Sequence, residues 1–308
     1  MAVPSETDQR DPAAPTVRVS AQSPSGLNGV TDSALRLVDL PPLPALAVKA
    51  LRMVSNTEAR LRDLHSLLAS DQAFCVEILK IVNSPLYGIR VEISSITQAM
   101  MLLGFERVRA LILTVGMRSF VGGTFNLGDI KACWRHSLST ALIAEEVAGV
   151  TGIDRDVAYT AGLMHNLGRL ALVMLRPKQF TELVQLAQEH PCDPQEEERR
   201  IFGMDHCEVG RSLVRTWKLP GQFLELMTSH DGGEQRINQP FNIISLVRLS
   251  CALSDTIGFE VVRSSRRRNY VELRACVPAR SRARFAAGPE ELRQRITDRV
   301  DSIEAIEW

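Results

Sequence analysis

The sequence has no excess of either charge. Lys+Arg and Asp+Glu both total 36, so no global field draws the chain toward nucleic acid or anionic lipid, and any such affinity has to be local. None of its six cysteines, Cys75, Cys133, Cys192, Cys207, Cys251 and Cys276, forms a C-x-x-C pair. Neither a zinc knuckle nor a disulfide framework is expected, and most of these thiols sit inside apolar helical patterns, as buried cysteines of a reducing compartment do. No apolar run approaches the roughly 18–20 residues that span a bilayer, and the start of the chain lacks a basic stretch followed by an apolar core. A cytoplasmic location with no membrane partner is expected. Sustained two-residue alternation is also missing from the hydrophobic regions, which argues against a sheet-based fold.

What is present is apolar mass. The 308 residues are 45% hydrophobic, enough for one large core or two joined lobes. Residues 1–30 are rich in Pro, Ser, Ala, Asp and Gln without periodicity and are expected to form a disordered tail. A first helical lobe is expected over 31–122. Leu43, Leu46, Ala47, Ala50, Leu51 and Val54 fall at three-and-four spacing, the stripe of a helix packed on a core, and Leu61, Leu64, Leu67 and Leu68 repeat it. Asp71 suits the cap of a helix that Asn83-Ser84-Pro85 stops. Ser95-x-x-Gln98 resembles a capping box, and Gly104 suits a left-handed helix end.

The paired glycines Gly122-Gly123 mark the boundary to a second lobe over 123–260. There Asp129–Val150 and Asp154–Arg176 read as two long apolar helices, the second ended by Pro177. Asp205-x-x-Glu208 and Pro220 open further helices, and 242–257 gives another. A C-terminal extension over 261–308 holds the strand-like segments: Phe259–Val262 and Tyr270–Val277 could pair as a small hairpin before an amphipathic helix over 289–306. Trp134 and Trp217 suit core anchors, with Trp308 at the terminus.

Of the six histidines, His136, His165, His206 and His230 lie on or beside the apolar helices of the second lobe, while His65 and His190 have polar surroundings. Imidazoles projected from separate helices can bind a divalent ion and make a hydroxide nucleophile, but hard ions and ion pairs also need carboxylates. Beside His165 stands Asn166, a neutral amide that cannot bridge two cations. A buried histidine is otherwise an ordinary hydrogen-bonded core residue. Arg266, Arg267 and Arg268, with Arg263 and Arg280, Arg282 and Arg284, form a basic segment that is either a phosphate or partner patch or a solvated loop; no interleaved aromatics offer stacking platforms.

Several motifs occur in order. Ile81-Val-Asn-Ser-Pro-Leu-Tyr-Gly88 contains Asn83, Ser84, Pro85, Tyr87 and Gly88, and is followed by Ile96-Thr-Gln-Ala99 and Leu103-Gly104. Trp134-Arg-His-Ser137, Ala161-Gly-Leu-Met-His-Asn-Leu-Gly168, Phe202-Gly-Met-Asp-His206, Val209-Gly210 and Trp217-x-Leu-Pro220 come after. Over about 40–258 this series resembles the HDOD domain. The resemblance implies a bacterial signalling protein with an all-α, two-lobe fold related to the HD and HD-GYP metal phosphohydrolases. Where those enzymes carry His-Asp this chain has His165-Asn166; where HD-GYP enzymes have Lys it has Arg169; where they show tandem histidines it has Ser229-His230. Their late Asp falls near Ser250-Cys251, and Asp255, a helical turn on, is expected to point elsewhere. A family Glu precedes the Phe-Gly motif, which implies that Glu197 or Glu198 faces the old site.

The expectation is a degenerate pocket of His136, His165, Asn166, Arg169, His206 and His230, with no catalytic residue, no cofactor and no metal; His136, His165, His206 and His230 are the candidates if one ion is kept. The expected role is non-catalytic binding of a signalling protein in trans, with a nucleotide second messenger as another ligand and nucleic acid not favoured. The alternative is a residual metal-dependent phosphohydrolase acting on a nucleotide or cyclic dinucleotide.

Overall fold

A computed structural model of the chain describes residues 36–52, 68, 71–229 and 241–306. The proposed tail, the stripe residues Leu61, Leu64 and Leu67, and His65, His230 and Trp308 lie outside the described residues. Among those residues every regular element is helical, and one isolated parallel bridge joins Cys192 to Ser264. The fold is all-α, as expected.

Among the described residues the first helices are α1 (Ala45–Arg52), α2 (Gln72–Val82), α3 (Ile96–Leu103) and α4 (Phe105–Val121). The caps are those the sequence implies. Asp71 accepts from the Phe74 N–H at 3.1 Å, and Ser95 accepts from Gln98 N–H while Gln98 reaches back to Ser94 N–H. Gly104, at φ +84, ends α3 and starts α4. In the Asn-Ser-Pro motif, Asn83 closes a loop rather than facing a ligand: its amide accepts from Ile93 N–H and donates to Ile93 O, both at 2.8 Å, and donates to Leu79 O at 3.0 Å. Pro85–Tyr87 then makes one 3-10 turn, which Gly88 ends in the left-handed conformation.

After the 3-10 turn Gly122–Thr124 comes α5 (Gly128–Thr151), the long central helix. Around it lie α6 (Arg155–Met164), α7 (Leu167–Leu175), α8 (Pro177–Glu189), α9 (Pro194–Phe202), α10 (His206–Thr216), α11 (Gln222–Ser229) and α12 (Ile243–Ser254). The expected single helix from Asp154 to Arg176 is two helices: the chain breaks at His165-Asn166, where Asn166 has φ −106 and ψ 23. The break goes with a close approach of α7 to α10, since a Cβ on Gly168 would lie 1.8 Å from the His206 carbonyl oxygen and only glycine fits there.

α12 passes into a π turn, Asp255–Phe259, with Gly258 at φ +103. No hairpin follows. Tyr270–Ala275 is helix α13, because Asn269 and Glu272 form a full capping box and Tyr270, Leu273 and Val277 bury one face while Val271 is exposed. The β-branched and aromatic composition that suggested a strand is overridden by that cap. Short α14 (Ala279–Arg282) and the predicted terminal helix α15 (Pro289–Glu304) complete the chain.

α15 lies back on α5 through ion pairs: Arg295 with Glu146 at 2.9 Å, Arg299 with Glu145 at 2.6 Å, and Arg135 with Asp301 at 2.9 Å. Glu145 also meets Arg107 of α4, so one buried carboxylate ties α4, α5 and α15 together. The leading helices join the α5 group through α4 and α6, where Thr114 and Tyr159 share a buried hydroxyl contact of 2.9 Å. Arg52 of α1 adds bonds to the Trp217 and Lys218 carbonyls at the end of α10. Trp134 is buried, and Trp217 packs edge-on to Phe120.

Candidate functional site

The helix break puts His165 and Asn166 in the interior, 0% and 1% exposed. His136 comes to the same place from the middle of α5, its ring centroid 5.3 Å from that of His165. Each imidazole is oriented by a backbone carbonyl: His165 Nδ1 lies 2.6 Å from Gly162 O, and His136 Nδ1 lies 3.1 Å from Phe259 O. A carbonyl only accepts, so Nδ1 is the donor in both rings and Nε2 is turned the other way. The Cys251 thiol of α12 stands 3.5 Å from His136 Nε2. One ligand atom from each of His136, His165 and Cys251 lies within 4.8 Å of the others.

Asp255 does not point elsewhere. Its Oδ1 is 3.3 Å from His136 Nδ1, because the π turn carries position 255 out of the α12 spiral and onto α5. It therefore backs His136 on the side away from Cys251. Asn166 completes the group: neither atom of its amide has a hydrogen-bond partner among the described residues.

One helical turn along α7, Arg169 belongs to a second cluster. Its Nε donates to Glu198 Oε1 at 2.9 Å, and its Nη2 is 3.0 Å from His206 Nδ1. Glu198 in turn accepts from the His206 ring and from the His206 backbone N–H at 2.9 Å. His206 is placed at the first position of α10 by the Asp205–Glu208 capping box. Burial by itself would raise the Glu198 carboxyl, but His206 and Arg169 hold it down, at about 2. Burial also pushes the Cys133 thiol up to about 12, with Arg169 opposing, so this thiol on α5 is no nucleophile at neutral pH.

Among the described residues the histidines named from the sequence fall into two places. His136 and His165 share one site, His206 is engaged with Glu198, and His230 lies outside the described residues. Cys251 was read as one more buried thiol; its only signal was its place where the resemblance puts an acidic ligand. Glu198 was read as an alternative to Glu197; the structure buries Glu198 and leaves Glu197 paired with Arg200. The basic segment does not converge either. Arg266 pairs with Asp193 at 2.9 Å, Arg267 donates to Asp255 O at 3.0 Å, and Arg268 lies 3.9 Å from Cys276 Sγ.

A pair of hard cations does not fit these residues. Such a pair needs a bridging carboxylate and several oxygen ligands; here an amide stands beside His165, Glu198 is consumed by Arg169 and His206, and Asp255 lies behind His136.

The order of these motifs on an all-α frame matches one family in particular. The pattern of the HDOD domain covers residues 40–232. The chain belongs to the HDOD family. Among solved structures, an HDOD domain protein of unknown function from Geobacter sulfurreducens has the same fold, with a TM-score of 0.67, 24% identity, and coverage of 87% of this chain and 93% of that one. A candidate phosphohydrolase from Shewanella amazonensis SB2B gives 0.61 at 18% identity, covering 87% and 94%. A candidate signal transduction protein from Marinobacter aquaeolei VT8 gives 0.62 at 20%, covering 87% and 59%. An uncharacterised protein of Treponema pallidum (strain Nichols) is 26% identical over 197 residues, and this HDOD chain, matched over 63% of its length, spans 38% of that relative. Among the described residues no helix is long and apolar enough to cross a membrane.

Proposed function

We propose that this HDOD chain is a non-catalytic module of cytoplasmic bacterial signal transduction that works by binding a protein partner. One observation carries the reading: Arg169, Glu198 and His206 form a buried triad in which the carboxylate that could serve as metal ligand or general base is already bound by an internal cation. A carboxylate held at about 2 is a poor proton acceptor at neutral pH, since a useful general base has a pKa near the working pH.

Size argues against a nucleotide in the smaller of two cavities, and engaged arginines argue against one in the larger. A cavity of about 160 Å³ between α4, α6, α11 and α12 is lined by Arg109, Thr160, Phe223 and Leu226. Pockets for drug-sized ligands run to roughly 300–1,000 Å³, so a nucleotide is too large for it. A wider cleft of about 510 Å³ beside α14 and α15 contains Arg155, Arg284 and Arg295. These already bond to Glu145, the Val150 carbonyl and Glu146 respectively, which lowers their value for phosphate. Exposed Met101 and Leu102 on α3, 77% and 59% accessible, supply apolar surface of the kind a partner covers.

The resemblance to HD hydrolases keeps a second reading in view, a residual metal-dependent phosphohydrolase, and the approach of His136, His165 and Cys251 is the observation in its favour. The test is a screen of the purified chain against cyclic dinucleotides and nucleotides in manganese, iron and zinc. No turnover is expected. Turnover that disappears in His165→Ala would establish the enzymatic reading instead.

A further inference from the structure

We propose that His136, His165 and Cys251 bind one soft divalent ion of the zinc class, a site built by α5, the α6–α7 break and α12. It goes beyond the non-catalytic reading and rests on it only in expecting no turnover. Four observations lead there.

The first is distance. A tetrahedral ion with a sulfur ligand at about 2.3 Å and an imidazole nitrogen at about 2.0–2.1 Å separates those two atoms by about 3.6 Å; Cys251 Sγ and His136 Nε2 are 3.5 Å apart. The third ligand atom, from His165, is already within 4.8 Å of both. Binding one ion requires His165 to draw in toward the other two.

The second is orientation. A metal-binding histidine characteristically donates its other ring N–H to a carbonyl or carboxylate, which fixes the tautomer. Both rings do this: His165 to Gly162 O at 2.6 Å, and His136 to Phe259 O at 3.1 Å with Asp255 Oδ1 at 3.3 Å beside it. Third, the Asn166 amide is 1% exposed, and both of its polar atoms lack a hydrogen-bond partner among the described residues. A buried amide seldom stays unbonded; its oxygen, or a water held by it, would supply the remaining ligand.

Fourth, the donor set selects the ion. Two imidazoles and a thiolate suit zinc and are a poor match for manganese or magnesium, which favour several oxygens. Asp255 is the acidic residue beside the rings, and it occupies the back of His136.

The experiment measures metal content of the full chain after equilibration with excess zinc and gel filtration, then the spectrum of the cobalt(II)-substituted protein. One equivalent of zinc per chain is expected, with a near-ultraviolet thiolate-to-cobalt charge-transfer band. Cys251→Ser should lose the band and weaken zinc affinity by more than about tenfold, while Cys133→Ser, a buried thiol one turn from His136, should leave both unchanged. The wild-type measurements stand even if Cys251→Ser fails to fold. Absence of stoichiometric zinc, a cobalt spectrum without a thiolate band, or a band that survives Cys251→Ser overturns the site. Binding of two manganese ions per chain overturns it too. Zinc-loaded protein that cleaves a phosphodiester would leave the site standing and overturn the non-catalytic reading; zinc-free protein without turnover does the reverse.

Discussion

Replacing Glu198 by Gln isolates the triad, because Gln copies the protonated carboxyl in shape. Folding holds this carboxyl at about 2 against an ordinary 4.5, a difference worth about 3 kcal/mol of native stability at neutral pH. An independent route gives the same scale, since breaking a buried ion pair costs about 3–5 kcal/mol, and Glu198 is 0% exposed with Arg169 at 7%. The sign follows from the direction of the shift. A carboxyl whose pKa is depressed in the folded state contributes fully above its unfolded pKa and loses that contribution as pH falls toward the folded value. The stability gap between wild type and Glu198→Gln should therefore be about 3 kcal/mol and flat from pH 7 down to about pH 5, then shrink to about 1 kcal/mol at pH 3. Urea denaturation followed by circular dichroism at these pH values measures it. A gap below about 1 kcal/mol at pH 7, or one that does not narrow on acidification, would refute the idea that Glu198 is ionised and held by Arg169 and the His206 ring.

Gly168→Ala should destabilise the protein by about 3 kcal/mol or more, since the added methyl meets the His206 carbonyl at 1.8 Å and backbone has to shift; a thermal melt within a degree of wild type would count against the α7–α10 packing. Asn83→Ala removes three hydrogen bonds to Ile93 and Leu79, and at about 0.5–1.5 kcal/mol each in a partly exposed loop the loss should be about 2 kcal/mol, with faster amide exchange at Ile93 as the local readout. Glu145→Gln should loosen α15, because the carboxylate meets Arg107 and Arg299; limited proteolysis near residues 286–289 should accelerate, and unchanged cleavage would mean apolar packing alone holds the helix. Alanine at Arg266, Arg267 and Arg268 together should leave binding to single-stranded DNA, and its salt dependence, unchanged from wild type; a flatter salt slope would restore the basic segment as a phosphate patch.

Local signals were legible where the chemistry is local. Asp71, Ser95 and Asp205 cap the helices their sequence context implies, since a capping side chain needs only an N–H two or three residues on. At Tyr270–Ala275 the β-branched and aromatic residues weigh toward a strand, while the capping box at Asn269 and Glu272 decides for helix. The break at His165-Asn166 was invisible because apolar periodicity runs through it unchanged.

The sequence by itself determined the all-α class, several helix caps, the HDOD motifs and the amide at position 166 that excludes a bridging carboxylate. Tertiary structure alone decided which of those residues meet. Cys251 reaches His136 across 115 residues and Arg169 reaches Glu198 across 29, contacts set by how α12 and α9 pack on α5 and α7. Residue order encodes helical faces through bonds spanning about four residues; the meeting of two faces depends on close approaches such as Gly168 on His206, which exist only once the helices are packed.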